Sequence, residues 1–310
     1  MINMTNRPSK YTKEEYILPP HGGLSSCSGC GMVLALRYFL KTIGDKVVFV
    51  TTAGCAMPTL LNPKCILEYR GEPIPSIFVP LGSTAICAGG LKSAFTARGD
   101  RETQVVVWAG DGAIFDIGLG GVSGAAERNE DIICVCYDNE SYMNTGNQRS
   151  SATPRGVKTA TNPPPAFKME GKKDIMSIIV AHGIPYAATA TIAYPDDLMR
   201  KVERAKSIEG FRFLHILTPC VTGWQYPSQW TIKMSYLAVE TRIFPLFEVE
   251  RGLMYRINRE PRGIPVEEYT RKQGRYKDLT PGELIEFQKR VDDRWNRLNW
   301  LVQYEARRAL

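Results

Sequence analysis

Short runs of apolar residues recur along this chain, separated by stretches whose apolar positions follow a helical period. Lys46 to Thr52, Ile77 to Leu81, Val105 to Ala109, Ile132 to Tyr137, Pro185 to Thr191 and Phe211 to Leu217 each have the length and near-continuous apolarity of a buried strand. Helices are predicted between them. From about Met32 to Ile43, Val33, Leu36, Leu40 and Ile43 mark one buried stripe. A helix over Ser83–Ala97 carries Ala85, Ala88, Gly89 and Gly90, small residues that permit close backbone approach. Small residues also fill a helix from about Asp116 to Arg128, Ile175–Ala181 is helical, and Asp196–Ser207 is amphipathic. Apolar strands alternating with helices predict an α/β fold: a mostly parallel sheet covered by helices on both faces. No internal repeat is evident.

The two ends differ from this middle. Residues 1–20 are polar, finish in Pro19-Pro20, and read as an N-terminal arm. Residues 21–245 form the α/β domain, interrupted at 150–174 by a long Pro-rich connection of the kind that is usually functional. Residues 246–310 read as a C-terminal extension, with two short strands around Gly252 and a long helix over Pro281–Ala306. In that helix Leu284, Phe287, Val291, Leu298 and Val302 are expected to face inward.

Composition narrows the class. With 44% hydrophobic residues in 310, the chain can bury a large core and is not a disordered sequence. No basic leader followed by a short apolar run opens it, so no signal peptide is expected. The longest apolar region, Ile175 to Tyr194, is broken by His182, Gly183 and Pro185 and does not suit a membrane span. A cytoplasmic protein bound to neither membrane nor nucleic acid is the expectation. Of the net charge of +7, +5 lies in residues 251–310, with 14 Lys/Arg against 9 Asp/Glu. No dense basic run with interleaved aromatics accompanies it. A solvated face accounts for it, and docking of an acidic partner is the sharper alternative.

Polar residues concentrate in one unit, QVVVWAGDGAIFDIGLGGVSGAAERNEDIICVCYDNESYMNTGNQR (104–149). One strand delivers Gly110-Asp111-Gly112, and the next delivers Asp138-Asn139 and a polar loop. Open α/β sheets bind ligands at such strand ends. Asp111 and Asn139, with 26 residues between Gly112 and Asn139, offer hard oxygens suited to Mg²⁺, which commonly shares them with phosphates. Gly112 permits close backbone approach and the following helix start favours negative charge. The chemistry spelled out is a diphosphate held through Mg²⁺.

Eight cysteines without a secretory signal do not suggest a disulfide framework. Cys27 and Cys30 form a C-x-x-C in HGGLSSCSGCG (21–31), while Cys55 and Cys220 each follow a strand. Four thiolates, one local pair and two remote, fit a tetrahedral zinc or a [4Fe–4S] cluster, and spacing alone does not choose between them. Cys134 and Cys136 alternate on a strand and read as core; Cys65 and Cys87 read as structural. His182 and His215 lie in apolar segments and read as core histidines.

The GDG motif with its spaced Asn resembles the thiamine-diphosphate (TPP) motif. The run YDNESYMNTGNQRSSATPRG (137–156) resembles, more specifically, the β subunits of the pyruvate:ferredoxin oxidoreductase (2-oxoacid:ferredoxin oxidoreductase) family. That resemblance implies the TPP-binding fold with TPP, Mg²⁺ and a [4Fe–4S] cluster as cofactors. Gly110, Asp111, Gly112, Ala113, Asn139, Ser141, Asn144 and Thr145 would bind the cofactor. Mg²⁺ would take Asp111, Asn139 and the Ser141 carbonyl, and Asn144 would lie near the reacting ring in a catalytic role. Cys27, Cys30, Cys55 and Cys220 would hold the cluster. His21 resembles the family's His before the cysteine loop, at a different spacing.

The implied activity is oxidative decarboxylation of a short 2-oxoacid, with electrons leaving through the cluster to ferredoxin. The implied partners are an α subunit supplying the pyrimidine-binding half of the TPP site, γ and ferredoxin-like δ subunits or domains, and ferredoxin. The C-terminal extension would wrap a partner, and the chain alone would be inactive. Pyruvate is the leading substrate. Segments 56–64 and 75–90 and the bulky Phe115 depart from the pyruvate pattern and raise oxalate, without coenzyme A, as the alternative. Outside this class stand a non-redox TPP enzyme subunit and a zinc-bearing interaction module.

Overall fold

The computed structural model describes residues 25–60, 68–69, 72–163 and 165–308. The expected N-terminal arm, His21, Cys65 and Pro164 lie outside them. The main sheet has eight strands: β1 (Val47–Thr52), β2 (Ser76–Val79), β3 (Gln104–Gly110), β4 (Ile133–Asp138), β5 (Tyr186–Thr191), β6 (Arg212–Leu217), β7 (Phe247–Glu250) and β8 (Met254–Ile257). Their spatial order is β8-β7-β5-β6-β4-β3-β1-β2. The strands β1 to β6 are parallel. A small separate ladder pairs Glu68–Tyr69 with Glu72–Pro73.

Both faces of the sheet are covered, which is why its central strands are mostly apolar and buried along nearly their whole length. On one face lie α1 (Gly31–Ile43) and α5 (Pro195–Lys206). Phe39 of α1 packs edge-on against Trp108 and Phe49, with ring centroids 5.3 and 6.0 Å away. On the other face lie α2 (Thr84–Ala97), α3 (Leu119–Glu127), α4 (Ile175–Val180) and the end of α7 (Pro281–Arg308). The helix α6 (Thr231–Glu240) builds a third cluster with Trp224, Tyr226, Tyr269 and Tyr276.

Two features differ from the sequence expectation. The helix expected from about Asp116 is preceded by a π-helical turn over Gly112–Ile117, closed by Gly118 N–H donating to Ala113 O at 2.9 Å. A Cβ on Gly118 would lie 2.3 Å from that same oxygen, so a larger residue there would break the wide turn. In addition, the strands expected at the head of the C-terminal extension belong to the main sheet. Strand β7 pairs antiparallel with β5, and β8 with β7. Without them the outer edge of β5 would present unpaired backbone groups. In α7, Val291, Trp295 and Leu298 are the buried positions, while Leu284, Phe287 and Val302 are half-buried.

Among the described residues, no helix is long and apolar enough to cross a membrane.

Candidate functional site

From β1 the chain moves outward to β2, whereas from β3 it moves the other way, to β4. Neighbouring strands whose connections diverge leave a crevice at their carboxyl ends. Here a cleft is lined by Ala53, Gly54 and Cys55 after β1, by Gly110, Gly112 and Ala113 at the end of β3, and by Asn139, Ser141, Tyr142, Met143, Asn144 and Thr145 after β4. Gly112 is demanded by packing: a Cβ there would lie 2.3 Å from the Tyr142 ring, whose hydroxyl donates to Gly112 O at 3.0 Å. Asn144 and Thr145 are exposed at the mouth. The Thr145 hydroxyl is engaged by Gln148 Oε1 at 2.5 Å, which is turn chemistry.

Three oxygens meet at the floor of the cleft. The Asn139 side-chain oxygen lies 2.8 Å from the Ser141 carbonyl oxygen and 3.1 Å from Asp111 Oδ1. Acceptors this close repel unless a cation or a proton lies between them. Octahedral Mg²⁺ at 2.0–2.1 Å would space adjacent ligand oxygens by about 2.9 Å. The amide rotated by half a turn would instead donate to both neighbours, an arrangement that needs no cation.

Asp111 is fully buried, and Ser150 Oγ donates to its Oδ2 at 2.5 Å. Burial, and then the neighbouring charge of Asp138, push its carboxyl well above the usual carboxylate range. Asp138 goes the opposite way. Burial works to raise it, but Lys172 and His215 outweigh that and hold it at about 2. His215 Nε2 lies 2.7 Å from Asp138 Oδ2. Three buried carboxylates, Asp111, Asp138 and Glu140, thus face two fixed cations, Lys172 and Arg275. Among the described residues, Asp111 is the one of the three without an ion-pair partner, beside the Asn139 amide and the Ser141 carbonyl.

A second cavity, of about 190 Å³, adjoins the first and is lined by Cys27, Cys30, Cys55 and Cys220 together. It shares Cys55, Asn139, Met143 and Asn144 with the cleft. Gly31, after the C-x-x-C, presses this loop onto the turn after β6: its N–H donates to Pro219 O at 3.3 Å, and a Cβ there would lie 2.7 Å from that oxygen. The Cys220 sulfur accepts from Gly223 N–H at 3.3 Å. Burial, reinforced by the other thiols, pushes Cys55 up to about 12. Cys220 is pushed to about 11, and Cys30 is also raised, in both cases chiefly by burial. Among the described residues, no three His, Cys, Asp or Glu side chains form a group suited to holding a single metal ion.

The remaining expected residues fall outside both cavities. Cys134 and Cys136 are buried on β4, and Cys87 is exposed on α2. His182 bonds Ser123 Oγ at 3.0 Å. Phe115 points away from the cleft into the core, 5.5 Å from the His215 ring, so its bulk does not shape the cleft. Sequence reasoning missed Ser150, Tyr142, Lys172, Trp224 and Arg275. Only Ser150 and Tyr142 carried a signal, since both stand in the run that bears the resemblance.

Comparison with known proteins identifies the family. The family model described as thiamine pyrophosphate enzyme, C-terminal TPP binding domain, matches residues 62–216. The pyruvate synthase subunit PorB of Methanocaldococcus jannaschii is 42% identical over 297 residues, covering 92% of this chain and 97% of that protein. The ketoisovalerate oxidoreductase subunit VorB of Pyrococcus furiosus is 40% identical over 296 residues, covering 91% and 93%. A solved 2-oxoglutarate:ferredoxin oxidoreductase from Magnetococcus marinus shares the fold, with a TM-score of 0.57 at 23% identity, covering 71% of this chain and 70% of that one. The chain therefore belongs to the 2-oxoacid:ferredoxin oxidoreductase family, as a subunit of the PorB and VorB type carrying the thiamine-pyrophosphate domain.

Proposed function

We propose that this chain is the β subunit in which a 2-oxoacid:ferredoxin oxidoreductase holds both its TPP diphosphate and a [4Fe–4S] cluster, with pyruvate as substrate and ferredoxin as acceptor. One observation carries the reading: the cleft, with Asp111, Asn139 and the Ser141 carbonyl at its floor, and the cavity of four cysteines share Cys55 and Asn139. Bound TPP supplies the carbanion chemistry that 2-oxoacid decarboxylation requires. Asp111, Asn139 and the Ser141 carbonyl hold Mg²⁺ and through it the diphosphate, while Gly112 and Ala113 leave their backbone open to the phosphate oxygens. Asn144, exposed at the mouth, would hydrogen-bond the substrate. Asp138 is engaged by His215 and Lys172 and serves as support, not as a proton donor.

The cysteine cavity favours a cluster over zinc, because a single ion needs its thiolates gathered at about 2.3 Å from one point. The raised thiols mean that assembly of the cluster releases protons. The α subunit supplies the rest of the TPP site, and the γ and δ components carry electrons onward to ferredoxin. Relatives acting on ketoisovalerate match nearly as well as the pyruvate synthases, which makes a branched 2-oxoacid the second reading. Oxalate loses one of its motives with the burial of Phe115.

The test is an anaerobic assay of the co-purified complex with pyruvate, 2-oxoisovalerate, 2-oxoglutarate and oxalate, each with and without coenzyme A. Coenzyme A-dependent ferredoxin reduction fastest with pyruvate is the expected result. Turnover of oxalate without coenzyme A would overturn the pyruvate reading, and turnover of none, with TPP bound and iron present, would overturn the substrate class.

A further inference from the structure

Glu140, between Asn139 and Ser141, has φ +68°, a left-handed backbone that a non-glycine residue adopts only when its surroundings hold it. Three contacts hold the backbone here. Glu140 N–H donates to Asp138 Oδ1 at 2.9 Å, its carbonyl accepts from Thr153 Oγ1 at 2.7 Å, and the Asn139 carbonyl accepts from Trp224 Nε1 at 2.9 Å. The side chain is held as well. Lys172 Nζ lies 2.8 Å from Oε1, and Arg275 forms an ion pair with Oε2 at 2.7 Å. The Arg275 and Glu140 side chains are each only 2% exposed, so this pair is barely screened by water.

Arg275 touches the loop twice. Its guanidinium stacks on Trp224, 4.0 Å from the ring centroid, and Trp224 is the residue that holds the Asn139 carbonyl. Gln273 Oε1 accepts from Arg275 Nε at 2.8 Å and sets the plane of the fork. With the Asn139 and Glu140 carbonyls each tied to a donor, the Ser141 carbonyl is the one turned toward the Asn139 side chain.

We propose that Arg275 and Lys172 are positioning residues of the Mg²⁺ site. By clamping the Glu140 carboxylate they keep residue 140 left-handed, and this turn aims the Asn139 side chain and the Ser141 carbonyl at the point faced by Asp111 Oδ1. The C-terminal segment is then part of the metal site as well as a surface for partners. The proposal rests on the Mg²⁺–TPP reading given above.

The experiment uses the assembled complex and follows TPP binding by calorimetry as Mg²⁺ is raised. Mn²⁺ replaces Mg²⁺ in a parallel series read by electron paramagnetic resonance. Arg275→Met is expected to raise the Mg²⁺ concentration for half-maximal TPP binding about 10- to 100-fold, the range typical of groups that orient metal ligands. TPP content at saturating Mg²⁺ and the iron content should stay near wild type, and the Mn²⁺ spectrum should broaden. Arg275→Lys, which keeps the charge but not the planar stack, should shift less, and Lys172→Met should shift in the same direction as Arg275→Met. Should Arg275→Met fail to assemble, Arg275→Lys decides, because even its smaller shift separates positioning from none. A Mg²⁺ dependence present in wild type and unchanged in the variants would overturn this proposal alone. A wild-type complex that binds TPP with no dependence on Mg²⁺ would overturn the reading beneath it, and the proposal with it.

Discussion

The Asn139 amide lies between the two cavities, one end 3.8 Å from the Cys55 sulfur and the other facing Asp111 Oδ1 and the Ser141 carbonyl. One residue at the end of β4 therefore borders both cavities. A group reacting in the cleft and a redox centre held by the cysteines would be separated by little more than this side chain, a short path for electrons.

The cysteine cavity predicts which thiols hold iron. Cys27→Ala and Cys220→Ser should lose iron and visible absorbance, because each would remove a proposed ligand from the shared cavity. Cys87→Ala, exposed on α2 and remote from the cavity lining, should retain both. Iron analysis of anaerobically purified complex checks this. Equal iron in wild type and Cys27→Ala would remove the assignment.

Asp111→Ala should abolish Mg²⁺-dependent TPP binding while leaving the iron content intact. It deletes the buried carboxylate that, among the described residues, has no ion-pair partner, and would take charge and geometry from the proposed Mg²⁺ site together. Calorimetric titration of TPP at fixed Mg²⁺ reads the loss directly. Unchanged occupancy would show that the diphosphate is held elsewhere.

Gly112→Ala tests the fit of the cleft without changing charge. The added methyl would meet the Tyr142 ring at 2.3 Å, so ring or backbone must move and the bond to Gly112 O is lost. TPP affinity should fall at least about tenfold, since small displacements at a reacting site are costly. Tyr142→Ala combined with Gly112→Ala should restore part of it. A single variant with wild-type affinity would mean the backbone approach at residue 112 is not used.

Glu248 predicts a pH dependence of stability away from the site. It fastens β7 to the sheet and to α5, accepting from Tyr186 at 2.6 Å and from Arg200 at 3.0 Å. Burial works to raise its carboxyl, but bonds from Arg200, Tyr186 and Arg256 prevail and hold it at about 2. A carboxyl lower in the folded state than in the unfolded one stabilises the fold above the unfolded value, near 4.3. That contribution, on the order of 3 kcal/mol, is lost as pH falls from about 4 to about 2. Glu248→Gln should lower the thermal midpoint at pH 7 and flatten the acid limb of a Tm–pH series. An unchanged acid limb would mean that these bonds do not persist in solution.

The sheet, and the placing of Asp111, Asn139 and Ser141 at neighbouring strand ends, were legible in the sequence because both depend on local order. Continuous apolar strands such as Val105–Ala109 and Ile132–Tyr137 can only be buried on both faces, and strand ends are where such a sheet exposes polar groups. Asp111, Asn139 and Ser141 could therefore be placed from spacing and resemblance. The 3.1 Å between the Asn139 and Asp111 side chains rests on the β3–β4 register, in which Gly110 stands beside Tyr137. The convergence of Cys27, Cys30, Cys55 and Cys220 was also foreseen. What packs the C-x-x-C loop against Pro219 was not, since Gly31 shows its purpose only beside the chain that crowds it.

The tertiary structure alone decided the rest. Nothing about the Gly252 hairpin says that it will complete the main sheet instead of starting an extension, because strand pairing is settled by which edge is free. Phe115 looked like a residue of the pocket and is a residue of the core, since the π-helical turn changes the direction in which its side chain leaves the backbone. Arg275 lies 135 residues from Glu140 in sequence, in a segment with no motif. Their pairing exists because α6, Trp224 and the turn at Gly274–Tyr276 fold over the end of β4 and shut out water there. Local patterns determine which residues can bind; only the packed chain brings to them the charges that hold them in place.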